Sequence, residues 1–177
     1  MITLVTGGCR SGKSSYALSL AESCLGPKVF IATARADDDE MLLRVEKHRK
    51  ERDMKVWKTI EEPINLSTVA EELKPDSTVL VDCLTLWVSN LMHDYHLNDK
   101  KMTEDKIADL ACKLLSTCRE TGSDFIFVTN EVGLGVAPVN NVARLYRDLV
   151  GRVNQVVAAE ADKVYFLMSS IPTKIKG

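Results

Sequence analysis

A phosphate-binding pattern, G-x-x-x-x-G-K-[ST], stands near the N-terminus and comprises Gly7, Gly8, Cys9, Arg10, Ser11, Gly12, Lys13 and Ser14. The apolar run 2–6 precedes it and a helix-like run follows it, which is the context in which this pattern binds nucleotides. Backbone N–H groups of such a loop form a cradle for anions, and the following helix adds the positive end of its dipole. We expect Lys13 to contact the β- and γ-phosphates and Ser14 to ligate the metal. The pattern therefore predicts a nucleoside triphosphate with Mg²⁺ as the ligand.

A second candidate metal ligand is Asp82, which ends an apolar run downstream of the phosphate loop. A carboxylate at the end of a strand is the partner that such a loop requires for Mg²⁺, the Walker B position. The other interpretation is an N-cap for a helix that begins near Leu84. The metal role is favoured because the phosphate loop already requires a carboxylate.

A run of charged residues between Asp37 and Arg52 contains one imidazole. In a helix, Glu40, Arg44, His48 and Arg52 would share one face. Neutral His is a nucleophile towards phosphorus, and the arginines would neutralise phosphate charge. A solvated helix face with salt bridges explains the same pattern. Spacing alone favours that second interpretation, because a single His is a weak signal.

Polar residues and two glycines occupy the segment 129–138, which follows a further apolar run. At the carboxyl end of a strand such a segment suits a loop that binds or senses substrate. A plain connection between a strand and a helix is an equal alternative. Asn130-Glu131 does not match the N-K-x-D motif that recognises guanine in regulatory GTPases. Further along the chain, Arg147 is expected to form a surface salt bridge.

These candidate residues need a scaffold, and the apolar and helical runs predict one. Core strands are expected at 2–6, 29–33, 78–82, 125–129 and 163–168, and shorter strands at 56–59 and 173–176. Helices are expected at 13–25, 38–52, 62–73, 84–93, 103–120 and 141–161, and a polar loop at 95–101. Strands that are apolar throughout and separated by helices indicate a parallel sheet covered on both faces. The pattern predicts one three-layer α/β domain over residues 1–177, with functional loops at the carboxyl ends of its strands.

Composition and charge narrow the class of protein. The 177 residues suit one domain, and 45% hydrophobic with 27% charged residues is typical of a globular protein. A net charge of −2 argues against a nucleic-acid or anionic-membrane partner. The sequence contains neither a membrane-spanning run nor a signal-peptide pattern, so we expect a cytoplasmic protein. Five cysteines without a C-x-x-C pair favour neither a disulfide framework nor a zinc site.

In combination, the motifs resemble one known family. The resemblance is carried by segments along nearly the whole chain: Val5 to Ser14, Ile31 to Thr33, Asp39 to Met41, Arg44-Val45, His48-Arg49, Val81 to Leu91, Val128 to Gly133 with Gly135 and Pro138, and Gly151 to Gln155. In these segments the chain is similar to the bifunctional adenosylcobinamide kinase / adenosylcobinamide-phosphate guanylyltransferases of cobalamin biosynthesis. Residues 53–78 and 93–124 match that family weakly.

The resemblance implies two reactions. Adenosylcobinamide is phosphorylated with GTP or ATP, and GMP is then transferred from GTP to the new phosphate, which gives adenosylcobinamide-GDP. A GMP adduct on a histidine is the intermediate, and that histidine matches His48. Lys13 and His48 thus become the catalytic candidates. A RecA-like sheet and a homotrimer are also implied.

The nucleotide contacts implied by the resemblance lie in the phosphate loop 7–14 and at Ala32, Thr33, Ala34, Arg49, Lys50, Glu51, Arg52, Glu61 and Asp82. For the corrinoid, Trp87, Met92 and Tyr95 offer apolar surface, but core packing is the preferred role of Trp87. A simple small-molecule kinase, with His48 as a surface residue, is the alternative function. A nucleotide-driven switch or assembly ATPase is disfavoured because the guanine motif is missing.

Overall fold

One mixed sheet organises the molecule. The structure is a computed structural model that describes residues 1–35 and 56–177. Within those residues, seven strands lie in the order β3-β2-β4-β5-β1-β6-β7. Only β7 runs antiparallel to its neighbour; the other neighbouring strands are parallel. The strands are β1 (Ile2–Gly7), β2 (Lys28–Ala32), β3 (Trp57–Glu61), β4 (Thr78–Asp82), β5 (Asp124–Val128), β6 (Lys163–Met168) and β7 (Ile171–Lys176).

Helices connect the parallel strands of the described part of the chain. They are α1 (Lys13–Ser23), α2 (Leu66–Glu71), α3 (Leu84–Leu97), α4 (Glu104–Glu120) and α5 (Asn141–Glu160). Helix α4 begins at the N-cap Thr103, and α5 begins at Asn140, whose side chain accepts from the N–H groups of Val142 and Ala143. None of the described helices combines the length and the hydropathy needed to cross a bilayer.

Two apolar clusters cover the two faces of the sheet. Alternate strand residues point to opposite faces, so Phe125 and Phe127 enter one cluster and Ile126 and Val128 the other. Helices α2 to α5 pack in the first cluster, while α1 packs in the second through Ala17 and Ala21. The predicted three-layer arrangement is therefore confirmed, and so are the predicted core strands. Strands β1, β2, β4 and β5 are mainly buried on both faces, as an apolar run without alternation requires. Strand β6, next to the edge strand β7, is only partly buried.

Several predicted boundaries were wrong. Helix α3 continues to Leu97, so residues 95–97 are helical and do not belong to the expected loop 95–101. Helix α2 begins only at Leu66, because the Glu62 carboxylate accepts from the N–H groups of Ile64 and Asn65 in a turn before it. The last strand begins at Ile171 and not at residue 173. The helix predicted for 38–52 lies outside the described residues.

Candidate nucleotide-binding site

The phosphate loop lies between the end of β1 and the start of α1. Gly7 is needed there because a Cβ at this position would come within 2.5 Å of the Leu167 carbonyl oxygen of β6. Arg10 and Gly12 take left-handed backbone conformations, with φ of 55° and 86°. These turns let the chain double back, so that the loop surrounds the N-terminus of α1.

The start of α1 has the features of an anion site. Gly12 is its N-cap and offers no side-chain hydrogen bond, and its first turn contains no acidic residue. The first-turn N–H groups and the helix dipole are therefore not neutralised by an acidic residue of that turn or by a side-chain cap. Lys13 Nζ donates to the Gly8 carbonyl oxygen at 3.1 Å, which holds the ammonium group across the loop. Ser11 Oγ is buried and has no hydrogen-bond partner in the part of the chain that the structure describes, as expected where a ligand or a water supplies one.

Asp82 ends β4 at the same edge of the sheet. Its neighbours in register are Ala32 of β2 and Val128 of β5, and β5 in turn lies next to β1. Burial first, and the Asp82 carboxylate second, raise the pKa of the Cys83 thiol to about 11, against the opposite effect of Lys13. The N-cap of α3 is Cys83, so the alternative role of Asp82 as that N-cap is wrong.

Thr33 joins the ends of β2 and β4. Its fully buried hydroxyl donates to the Cys83 carbonyl oxygen at 2.8 Å and accepts from the Cys83 N–H at 2.7 Å. Its own carbonyl oxygen accepts from Asn90 Nδ2 of α3 at 2.8 Å. The Thr33 side chain is thus engaged within the protein, and it fixes the backbone that follows Asp82.

The described candidates meet at the carboxyl edge of the sheet. Ala32 is in register with Glu61 of β3 as well as with Asp82. The phosphate loop, Ala32 to Ala34, Glu61 and Asp82 are all at the ends of parallel strands or just after them. Five further candidates lie outside the described residues: His48, Arg49, Lys50, Glu51 and Arg52.

The segment after β5 is tied to the phosphate loop. Thr129 Oγ1 donates to Asn154 Oδ1 of α5 at 2.7 Å, and Asn154 Nδ2 donates to the Asn130 carbonyl oxygen at 3.1 Å. The Glu131 N–H donates to the Gly7 carbonyl oxygen at 3.0 Å. Within the described residues, Asn130 Oδ1 is buried without a hydrogen-bond partner. The bond from Glu131 to Gly7 continues the parallel pairing of β5 with β1 and places the start of the segment 129–138 beside the phosphate loop.

Side chains that the sequence singled out elsewhere have structural roles. Trp87 is buried and donates from Nε1 to the Ile64 carbonyl oxygen at 2.8 Å, which confirms core packing. Met92 and Tyr95 pack against the same core cluster. Arg147 pairs with Asp148 at 2.9 Å, as predicted for a surface salt bridge.

Two groups of residues near the site were not predicted from the sequence. Cys83 Sγ lies 2.8 Å from Thr85 Oγ1, and the Tyr146 hydroxyl donates to the Thr85 carbonyl oxygen at 3.3 Å. The Ser170 N–H, in the turn between β6 and β7, donates to the Ser11 carbonyl oxygen at 2.9 Å. The bonds from Tyr146 and Ser170 join residues that are far apart in the sequence, so no local pattern predicts them. Cys83 and Thr85 are close in the sequence, but they do not form a pair that is diagnostic of a contact.

The residues present fit a magnesium ion. Among residues 1–35 and 56–177, no three acidic, His or Cys side chains are grouped as a complete metal site. Mg²⁺ in nucleotide sites needs no such group, because one or two protein ligands, waters and the substrate phosphates complete its shell. Ser14 in the first turn of α1 and Asp82 at the end of β4 suit those protein positions.

Comparisons with known proteins show the family of the chain. The sequence model of the family described as cobinamide kinase / cobinamide phosphate guanyltransferase matches residues 3–175. The bifunctional adenosylcobalamin biosynthesis protein CobU of Salmonella typhimurium is 40% identical over 184 residues, which cover 99% of this chain and 100% of that protein. CobU of Escherichia coli is 38% identical over 186 residues, with 99% of this chain and 100% of that protein covered. CobP of Pseudomonas aeruginosa is 38% identical over 178 residues, with 100% of this chain and 98% of that protein covered.

Solved structures with little sequence similarity share the fold. An ATPase from the type III secretion system of pathogenic bacteria has a TM-score of 0.62 at 12% identity. The superposition covers 94% of this chain and 51% of the ATPase chain. A KaiC-like protein of Pyrococcus horikoshii has a TM-score of 0.51 at 17% identity, and the superposition covers 93% of this chain and 69% of the KaiC-like chain. The predicted phosphate-loop domain with a mainly parallel, RecA-like sheet is confirmed.

Proposed function

Because the chain belongs to the cobinamide kinase / cobinamide phosphate guanyltransferase family, we propose that its one domain, residues 1–177, performs both reactions at the carboxyl edge of the sheet. The first phosphorylates the hydroxyl group of adenosylcobinamide with GTP or ATP. The second transfers GMP from GTP to that phosphate and releases pyrophosphate and adenosylcobinamide-GDP. The observation that carries the proposal is the family match over residues 3–175 together with a phosphate loop placed between β1 and α1.

In the kinase reaction, the substrate hydroxyl oxygen attacks the γ-phosphorus and the nucleoside diphosphate leaves. The N–H groups of the phosphate loop and the Lys13 ammonium group hold the phosphate oxygens, on which negative charge is spread in the transition state. Ser14 and Asp82 are the residues that hold Mg²⁺, which neutralises part of the phosphate charge when bound. For the nucleoside, the expected contacts are Ala32 to Ala34 and Glu61, which lie at the ends of β2 and β3 or just after them.

In the guanylyl transfer, His48 is the nucleophile. Its neutral imidazole attacks the α-phosphorus of GTP, pyrophosphate leaves, and a phosphoramidate to GMP forms. A phosphate oxygen of adenosylcobinamide phosphate then attacks the same phosphorus and frees the imidazole. The positions of Arg49, Lys50, Glu51 and Arg52 next to His48 in the sequence support a role in holding the nucleotide.

The alternative of a simple kinase leaves His48 without chemistry. The family name and the names of three relatives, each at least 38% identical over nearly the full chain, include both activities or the word bifunctional. These names favour the two-reaction proposal over the simple kinase.

A labelling experiment separates the two functions. The protein is incubated with Mg²⁺ and GTP labelled at the α-phosphorus, then denatured, and the label on the protein is measured. We expect label that is lost in acid and kept in alkali, as a phosphoramidate requires, and no label with GTP labelled at the γ-phosphorus. His48→Ala should abolish it, while His93→Ala, at a helical residue outside the proposed site, should not. Wild-type protein without label would leave only the simple kinase.

Assembly and compartment complete the proposal. We expect a homotrimer, on the basis of the family resemblance of the sequence, and a cytoplasmic location, as the sequence pattern predicts. Light scattering should give a mass near three times the 19.7 kDa of the chain. A monomer at micromolar concentration would contradict the trimer and leave the proposed chemistry intact.

A further inference from the structure

All six residues of the last strand of the sheet, β7, are exposed, including the apolar Ile171 and Ile175. Burial of apolar surface is the main stabilising term for a strand in a sheet, and β7 contributes little of it through its side chains. A role for this strand must therefore come from its backbone or from its ends.

One end of β7 contacts the phosphate loop. Ser169 and Ser170 form a two-residue turn between β6 and β7, and Met168 pairs with Ile171 across it. The Ser170 N–H donates to the Ser11 carbonyl oxygen at 2.9 Å. Ser170 also packs on Gly12, where a Cβ would lie 2.5 Å from Ser170 Oγ and 3.0 Å from Ser170 Cα. Gly12 is required both for its φ of 86° and because Ser170 fills the space beside it.

The other end of β7 is bonded to α5. Lys176 Nζ donates to the carbonyl oxygens of Ala158 and Ala159, at 2.9 and 2.6 Å. These carbonyl groups lie in the last turn of the helix, where a cation is favourable. The C-terminal hairpin, residues 163–176, is thus held at the helix end by Lys176, and it reaches the phosphate loop with its turn.

The bond from Ser170 controls the direction of a phosphate-binding group. The Ser11 carbonyl and the Gly12 N–H belong to the same planar trans peptide unit, in which C=O and N–H point in opposite directions. When Ser170 holds the carbonyl oxygen on the hairpin side, the Gly12 N–H must point to the opposite side. A rotated peptide would turn the carbonyl oxygen, a partial negative charge, towards the bound phosphates.

We propose that the C-terminal hairpin orients the Ser11–Gly12 peptide of the phosphate loop, and that Ser170 is a positioning residue for nucleotide binding through its backbone N–H. The turn itself indicates a constraint of this kind. Both serines have left-handed backbones, with φ of 51° and 64°, although Asn and Gly favour such turns. The proposal rests on the proposed function only in taking GTP as the ligand.

The test compares GTP affinity with thermal stability in variants of the full chain. Ser170→Pro removes the N–H that bonds Ser11, and its ring cannot adopt a positive φ. We expect the affinity for GTP with Mg²⁺, measured by equilibrium dialysis, to fall about tenfold, as for the loss of one hydrogen bond that orients a binding group. Inorganic tripolyphosphate should lose affinity by about the same factor, because the contact concerns the phosphates.

The matched control weakens the far end of the same strand. Lys176→Met removes the bonds to α5 and should lower Tm while the GTP affinity stays within about twofold of wild type. Ser170→Gly keeps the N–H and suits the left-handed backbone, so it should restore the affinity that Ser170→Pro loses. If Ser170→Pro does not fold, Ser170→Thr replaces it; its branched Cβ strains the same turn, with an expected loss of about threefold.

Two results would overturn the proposal. The first is wild-type GTP affinity in a folded Ser170→Pro protein. The second is an equal loss of affinity in Lys176→Met at an equal loss of Tm, which would indicate general destabilisation. Because no corrinoid is used, failure of the kinase or transfer reaction in wild-type protein would contradict the proposed function and leave this result unaffected.

Discussion

The two flanks of β1 support the phosphate loop in different ways. On the β5–β4 flank, polar side chains such as Asp82, Thr33 and Asn130 come from the ends of buried strands. On the β6–β7 flank, the contact is a backbone N–H from a hairpin whose last strand is exposed throughout. The β5–β4 flank also makes a backbone contact, from the Glu131 N–H to the Gly7 carbonyl oxygen, and adds polar side chains to it, whereas the β6–β7 flank acts through its backbone. Substitutions should affect chemistry and stability on the first flank, and nucleotide affinity and stability on the second.

The largest effect is expected for Lys13→Ala. Loss of the ammonium group removes charge from the phosphates in both reactions, so kcat/KM for each should fall about a thousandfold. Tm should change little, because Lys13 is only partly buried and its ammonium group bonds a backbone carbonyl oxygen, that of Gly8. Coupled assays of both reactions and a thermal melt measure these quantities.

Lys58→Ala, at an exposed position of β3, is the control and should behave as wild type. A loss of only one of the two reactions would show that they use different phosphate sites.

Thr33→Val should have the next largest effect, and on stability. The change keeps the shape of the side chain but leaves the N–H and carbonyl group of Cys83 without their buried partner. We expect the free energy of unfolding to fall by about 2 kcal/mol, measured by denaturant titration.

The control for Thr33→Val is Thr59→Val in β3. Thr59 Oγ1 is also buried but has no hydrogen-bond partner among residues 1–35 and 56–177, so its removal should be neutral or stabilising. Equal effects of the two substitutions would contradict the role assigned to Thr33.

The smallest effect is expected for Ser169→Gly on the hairpin flank. Glycine adopts the left-handed backbone of this turn without steric cost, so the free energy of unfolding should rise by about 0.5 kcal/mol. The same change at Ser116, in the exposed face of α4, should lower it by a similar amount, because glycine is unfavourable within a helix. Denaturant titration of both variants measures the contrast. A decrease for both would mean that the turn is not under backbone strain.

The sequence predicted the elements that depend on local pattern. Core strands are apolar throughout, and the phosphate loop is defined within eight consecutive residues, so both were identified correctly. Predicted helix ends were wrong where the apolar periodicity does not determine them. Helix α2 begins later than predicted because the Glu62 carboxylate caps a turn before it. Helix α3 continues past His93 and Asp94, where the polar residues predicted the end of the helix.

The contacts of Thr33 and Ser170 had no signal in the sequence. Nothing in the sequence indicated that the Thr33 hydroxyl bonds Cys83, which is 50 residues away. Ser170 bonds the phosphate loop through a backbone N–H that every residue except proline possesses. A contact of this type does not require a particular residue type, so it cannot be predicted from the sequence.

By itself, the sequence determined the class of ligand and the succession of strands and helices. Both follow from interactions between near neighbours in the chain: a loop of eight residues that presents its own N–H groups, and apolar runs whose period selects strand or helix. Only the tertiary structure decided that β4 and β6 stand on opposite flanks of β1, with Asp82 on one side of the phosphate loop and Ser170 on the other. The strand order depends on packing between residues that are distant in sequence, and that packing is settled by the whole core at once and not by any local pattern.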